Sequence, residues 1–308
     1  MARYGLAMWV IAIVLAALAP ARAQATAGDR GDERIVVVAS FSILGDFARA
    51  VGGARTDVTT LVGTDGDAHV FTPAPADARK VAAARLVIVN GLGLEGWLPR
   101  LVQASGGNAV IVVAATGVPL RGAEAGETLH GDGSADPHAW QSVANAKIYV
   151  ANIRDALIAA DPAGEAVYRG NAADYLAKLD ALDREVREGV ARIPPERRKV
   201  ISTHDAFGYF EAAYGIAFIA PQGVSTDSEA SARDIAATIT QIRTAKIPAV
   251  FLEDLGDPRL IRQIATEAGA RIGGTLYSDS LSDEKGDAPT YIAMVRHNIK
   301  ALTSALAE

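Results

Sequence analysis

From Asp161-Pro162 to Pro194-Pro195 the chain carries one unbroken helical stripe. Ala172, Tyr175, Leu176, Leu179, Leu182, Val186, Val190 and Ile193 recur at steps of three and four, the spacing of a single buried helix face. An acid followed by proline starts a helix, and a double proline stops one. The spacing predicts a helix of about 32 residues, about 48 Å long at 1.5 Å per residue. Ordinary globular helices run to three or four turns. A helix of this length near the middle of the chain is better read as a bridge than as part of one domain's interior.

What flanks the stripe supports that reading. A continuous apolar run at 35–39, the pattern of a strand buried on both faces, is followed by further strand candidates at 58–62, 86–89, 110–113, 200–203, 216–219, 249–253 and 271–273. Helical spacing falls between them at 41–51, 75–84, 95–104, 206–214, 230–245, 258–268 and 290–306. Strands alternating with helices argue for parallel α/β units. The expected fold class is α/β, with two lobes, each a parallel sheet flanked by helices, bridged by one long helix. The expected division is 34–160 for the first lobe, 161–195 for the bridge and 196–308 for the second lobe. No internal sequence repeat is visible.

Residues 1–23 read as a secretory signal peptide. Arg3 precedes an apolar run, and Ala21-Arg22-Ala23 fits a small-residue cleavage site. The run is short of the ~20 residues needed to span a bilayer, so export with cleavage near Ala23 is expected. For a bacterial chain that means the periplasm. The absence of cysteine removes thiolate metal sites, cysteine nucleophiles and a lipid-modified N-terminus. A net charge of −6 with no basic stripe argues against nucleic acid.

The five histidines are His69, His130, His138, His204 and His297. Three stand in turn-rich segments next to strand or helix signals: His69 in "GTDGDAHVFTPAPAD", His138 in "GSADPHAW" and His204 in "VISTHDAFGYF". His204 falls at the carboxyl end of a strand, where open α/β sheets bind ligands. Asp279 in "LYSDSLSD" also follows a strand. No local metal motif is present, so a metal site requires the fold to gather four separated loops. Three imidazoles and one carboxylate would suit four-coordinate Zn²⁺. By spacing alone, separate capping or surface histidines are the plainer reading.

Other motifs compete. "GLGLEG", Gly91 to Gly96, matches a dinucleotide fingerprint after a strand, but the acid expected about 20 residues on is missing. Its bland reading is a tight strand-to-helix turn with Trp97 packed beneath it. "HGDGSAD" lacks the closing glutamate of a calcium loop. Ser202, His204 and Asp205 have the residue types of a hydrolase triad without a nucleophile elbow. Trp97, Trp140, Tyr209 and Phe210 read as core.

Taken together the motifs resemble one family, the periplasmic solute-binding proteins of zinc and manganese ABC transporters (cluster A-I). The resemblance rests on "DAHVFTPAPADARKVAAARLVIVNGLGLEGWL", "DPHAWQSVANAKIYVANIRDAL", "STHDAFGYFEAAYGI", "GVSTDSEASARDI", "VFLEDLGDPRLIRQIATEAG" and "LYSDSL", in order along nearly the whole mature chain. It implies metal ligands His69, His138, His204 and Asp279, and one ion per chain. It also implies a membrane permease as partner, with a periplasmic zinc chaperone as a further candidate, and a monomer with no enzymatic role. Manganese-type members usually place glutamate at the third ligand position. Histidine there favours Zn²⁺ over the harder Mn²⁺, which stays the competing ion. In lacking cysteines and a long histidine-rich tract the chain looks closer to AztC-type zinc binders. The short segment around His130 would collect zinc weakly at most. A manganese importer component, a secreted zinc hydrolase using Asp205 as base, and an adhesin on the same fold are the alternatives. No role is assigned to His130, His297 or the loop 223–231.

Overall fold

The structure is a computed structural model, and it describes Met1, residues 34–121 and residues 135–307. The signal-peptide segment beyond Met1 and the stretch holding His130 lie outside the described residues.

The apolar runs form two four-stranded sheets in which every pairing is parallel. The first contains β1 (Ile35–Phe41), β2 (Thr56–Val62), β3 (Leu86–Val89) and β4 (Val110–Val113), in spatial order β2-β1-β3-β4. The second contains β5 (Lys199–Ile201), β6 (Ala217–Ile219), β7 (Ala249–Glu253) and β8 (Arg271–Leu276), in order β6-β5-β7-β8. The two sheets thus repeat one topology that the sequence does not betray as a repeat. In each, the first strand sits beside the second and the third, so the chain reverses its direction of winding there. The crevice at the strand carboxyl ends beside such a reversal is where open α/β sheets bind ligands.

Helices α1 (Ser42–Gly52), α2 (Pro75–Ala83) and α3 (Leu98–Ser105) serve the first sheet. Helices α4 (Val143–Ala160) and α5 (Glu165–Ala191) follow it. Then come α6 (Gly208–Tyr214), α7 (Ala232–Ala245), α8 (Pro258–Ala268) and α9 (Tyr291–Leu306). The long stripe folds as α5, 27 residues or about 40 Å, within the expected 161–195. Asp161 does not cap it. Its carboxylate accepts from Arg55 Nε at 2.8 Å and from the Tyr168 hydroxyl at 2.7 Å. Pro162–Gly164 therefore forms a separate 3-10 turn. The helix α4 was not anticipated from the sequence and packs along α5.

One apolar core runs from β1 and α1 through α4 and α5 to α6 and α9. Leu179, Leu182 and Val186 of α5 are fully buried in it, and each is worth roughly 1.5–3 kcal/mol over exposure. Phe47 of α1 meets Tyr149, Tyr175 and Tyr291 edge-on. The two sheets are thus joined by packed side chains as well as by a connecting helix. Among the described residues no helix is long and apolar enough to cross a membrane.

Candidate metal centre

His69 and His138 come from the first lobe's loops, and His204 and Asp279 from the second's. The fold brings all four together: one donor atom from each lies within 4.8 Å of the others. His69 Nε2 is 3.2 Å from His138 Nε2 and 3.3 Å from Asp279 Oδ2. His204 Nε2 is 3.1 Å from Asp279 Oδ2, and His138 Nε2 is 3.5 Å from Asp279 Oδ1. Bonds of ~2.0–2.1 Å to a central ion place tetrahedral donors roughly 3.3 Å apart, so these separations suit one metal ion. His138 and Asp279 are fully buried and His204 is 2% exposed. Asp279 Oδ1 is buried with no hydrogen-bond partner among the described residues. An orphaned buried carboxylate oxygen is costly unless a cation meets it.

Local structure aims each ring. His204 stands three residues past the short β5, and Glu253 at the end of β7 holds it. Glu253 Oε1 accepts the backbone N–H groups of Thr203 and His204 at 2.7 and 3.0 Å, while Oε2 faces His204 Nδ1 at 2.5 Å. His138 precedes a 3-10 turn and is held by Asp136, whose Oδ1 faces Nδ1 at 2.9 Å and accepts the His138 backbone N–H at 2.9 Å. These are the carboxylate–histidine pairs that orient a metal-binding ring and fix its tautomer. His69 is set differently. Its backbone N–H donates to Asp67 Oδ1 at 2.8 Å, Asp67 Oδ2 accepts the Thr226 hydroxyl from the opposite lobe at 2.6 Å, and Trp97 Nε1 donates to the preceding Ala68 carbonyl at 2.8 Å.

Charge follows geometry. Burial pulls the His138 imidazole down, but the nearby charge of Asp279 and the bond to Asp136 outweigh it and push it up to about 9. Burial likewise opposes, and Glu253 and Asp279 overcome it, at His204, which rises well above the usual range. Burial would raise the Asp279 carboxyl, yet His138 and His204 hold it well below the carboxylate range. Both rings face carboxylates through both nitrogens, an arrangement suited to imidazolium. A metal ion binding at Nε2 would replace that proton.

A cavity of about 530 Å³ opens over the cluster between Leu92–Leu94 and the loop 221–230, and His69 is the one ligand candidate lining it. Asp227, Glu229 and Asp234 stand along its wall.

The other motifs resolve into structure. In "GLGLEG", Gly91, Leu92 and Gly93 all have left-handed φ. Buried Glu95 accepts from the Asn90 and Gly91 N–H groups and the Ser40 hydroxyl at 2.6, 3.1 and 2.7 Å. Glu95 thus closes the turn with its own carboxylate, and α3 starts only at Leu98. Trp140, Tyr209 and Phe210 are core, whereas Trp97 is half-buried. His297 lies on α9, bonded through Nε2 to the Thr275 carbonyl at 3.0 Å, away from the cluster. Of the calcium-like stretch, Asp132 and Ser134 fall outside the described residues, and Asp136 serves His138. Sequence reasoning missed Glu253 and the ring-holding role of Asp136. The available signals were an acid ending a strand and an acid two residues before a candidate ligand.

Comparison with known proteins gives a consistent picture. The family described as "ZnuA: Zinc-uptake complex component A periplasmic" matches residues 37–305. The manganese-binding lipoprotein MntA of Halalkalibacterium halodurans is 33% identical over 302 residues, 97% of this chain and 98% of that protein. The iron-binding protein YfeA of Yersinia pestis is 34% identical over 278 residues, 90% and 88% of the two chains. The solved structure of the periplasmic zinc-binding protein TroA from Treponema pallidum superposes with a TM-score of 0.83 at 30% identity, covering 89% of this chain and all of that one.

Proposed function

The chain belongs to the periplasmic zinc-uptake component A family, the metal-binding, non-enzymatic solute-binding components of ABC transporters, and on that premise we propose that it captures one Zn²⁺ with His69, His138, His204 and Asp279 and delivers it to a membrane permease for import. The observation that carries this reading is the meeting of three imidazole Nε2 atoms and one buried carboxylate within 4.8 Å. Nitrogen-rich donors suit Zn²⁺ better than Mn²⁺, and zinc also stands above manganese in the Irving–Williams order. Three neutral imidazoles and one carboxylate leave the loaded centre near +1, a charge that Asp136 and Glu253 offset through the rings they hold.

Manganese is the second reading. Asp279 turns one oxygen to His138 and the other to His69 and His204, so a bidentate carboxylate and a fifth ligand atom are within reach. MntA, named for manganese, is a relative that matches 97% of the chain. Competitive affinities for the two ions at neutral pH decide between them. Tighter zinc binding supports the proposal, and tighter manganese binding replaces it.

The division into lobes 34–160 and 196–308 with the bridge 161–195 belongs to the same proposal, as does export with cleavage near Ala23 and action as a monomer. The packed core along α5 favours ion release by movement of the loop 223–231, whose Thr226 reaches Asp67, over wide hinge opening. Hydrogen exchange with and without zinc tests this. Protection concentrated in that loop is expected, and large uniform protection along α5 would count against it.

A further inference from the structure

Asp279 is flanked by two serines, and a single neighbouring side chain holds both flanks. Asp254, the residue after β7, accepts the Ser278 backbone N–H on Oδ1 at 3.1 Å and the Ser280 hydroxyl on Oδ2 at 2.7 Å. Its own N–H donates to the Leu276 carbonyl at 3.0 Å, which ties it to the end of β8. The remaining polar groups of Ser278 are engaged as well. Its hydroxyl donates to Glu253 Oε2 at 3.0 Å, and its carbonyl accepts from Trp140 Nε1 at 2.9 Å and Gln141 Nε2 at 2.7 Å. Trp140 and Gln141 belong to the turn that follows His138. Ser278 therefore connects the segments bearing His138, His204 and Asp279.

The Asp279 carboxylate has no comparable support of its own. Oδ1 accepts no hydrogen bond, and the groups facing its oxygens are imidazole nitrogens at 3.1 to 3.5 Å. Its direction is set by the backbone on either side. Ligands must stand within about half an ångström of the productive position, held by groups that do not themselves touch the ion.

We infer that Asp254 is a positioning residue for metal capture: by gripping Ser278 and Ser280 it fixes the turn that aims Asp279 at the three imidazoles, without itself reaching the ion. This rests on the reading of His69, His138, His204 and Asp279 as the ligand set. The dipeptide Glu253-Asp254 then serves two ligands from one strand end, Glu253 acting on the His204 ring and Asp254 on the Asp279 turn.

The test compares Asp254→Asn, Asp254→Ala and Ser280→Ala, each as the full mature chain. Zinc affinity is read by competition with a chromogenic chelator, and the visible bands of the Co²⁺-loaded protein report ligand geometry. Asparagine can keep both bonds, its carbonyl accepting from Ser278 and its amide donating to the Ser280 hydroxyl. Asp254→Asn is therefore expected within about threefold of wild type, Asp254→Ala about tenfold weaker, and Ser280→Ala a few-fold weaker. The alanine variants should also shift the Co²⁺ bands while leaving the far-UV circular dichroism unchanged. Wild-type affinity and bands in both alanine variants overturn the inference. Equal losses in Asp254→Asn and Asp254→Ala overturn it too, because charge rather than placement then matters. If Asp254→Ala does not fold, Ser280→Ala against Asp254→Asn decides on the same terms. His138→Ala is the control for the premise: if it binds zinc as wild type does, the ligand assignment fails, whatever the clamp variants show.

Discussion

Replacing Glu253 by glutamine preserves size and shape but inverts one hydrogen bond at the heart of the centre. Glu253 Oε1 accepts two backbone N–H groups, so the glutamine carbonyl settles there. The amide NH₂ then occupies the place of Oε2, 2.5 Å from His204 Nδ1, where it donates rather than accepts. A donor at Nδ1 selects the tautomer with its proton on Nε2, the nitrogen turned toward Asp279 and the other imidazoles. That lone pair is the one a metal ion needs. To bind, the variant must break the new bond and leave two donors opposed, and it also loses a bond between charged groups worth about 1.5–3 kcal/mol. At ~1.4 kcal/mol per tenfold, zinc affinity should fall by roughly 10- to 150-fold, in line with the effect of removing such ring-holding partners elsewhere. Chelator competition at pH 7.5 measures it, with the melting temperature of the ion-free variant as a check on folding. An affinity within threefold of wild type, in a folded variant, refutes the claim that Glu253 governs the His204 tautomer.

Acid should weaken metal capture. His138 sits at about 9 in the folded protein against 6.5 for the free side chain, and His204 is also raised well above its usual range, so a metal ion arriving near neutral pH displaces protons from these rings. Calorimetry in buffers of different ionisation enthalpy should show that release. Because the folded value of His138 lies above the unfolded one, its contribution to the stability of the ion-free protein is fully present below about 6.5 and fades as pH rises through about 9. Melting curves of chelator-treated protein across that window check the sign. Gly91 has φ +85°, and an added Cβ would lie 2.5 Å from Val113 Cγ1, so Gly91→Ala should cost about 1–3 kcal/mol, seen as a lower melting temperature with one zinc still bound. Trp97→Phe removes the bond to the Ala68 carbonyl beside His69 and should cost about 0.5–1.5 kcal/mol in zinc affinity, with little change in the circular dichroism.

The parallel sheets were legible because strands covered on both faces are written as unbroken apolar runs, as in Leu86–Val89 and Ala249–Glu253. The four ligand candidates were legible as residue types at strand or helix ends, yet their convergence was not, since no local spacing encodes a meeting of four loops. The family resemblance supplied it, and in the structure one donor atom from each lies within 4.8 Å of the others. Helix α4 escaped notice although Val143, Ala146, Tyr149, Val150, Ile153 and Leu157 recur at helical spacing and are buried; further apolar residues outside that face, such as Ile148 and Ile158, blur the contrast between its sides. The start of α5 was misplaced because Asp161, the expected cap, is engaged by the distant Arg55 and by Tyr168 of α5 itself. Glu95 bends "GLGLEG" by reaching back to Asn90, Gly91 and Ser40. Apart from α4, what local pattern misses here is a buried or half-buried carboxylate engaged by partners other than the expected ones.

Diffraction from zinc-loaded crystals at the zinc absorption edge tests the central claim most directly. The account predicts one anomalous peak per chain, about 2.0–2.2 Å from the Nε2 atoms of His69, His138 and His204 and from a carboxylate oxygen of Asp279. A principal peak elsewhere, or one that leaves any of those four side chains unbound, contradicts it.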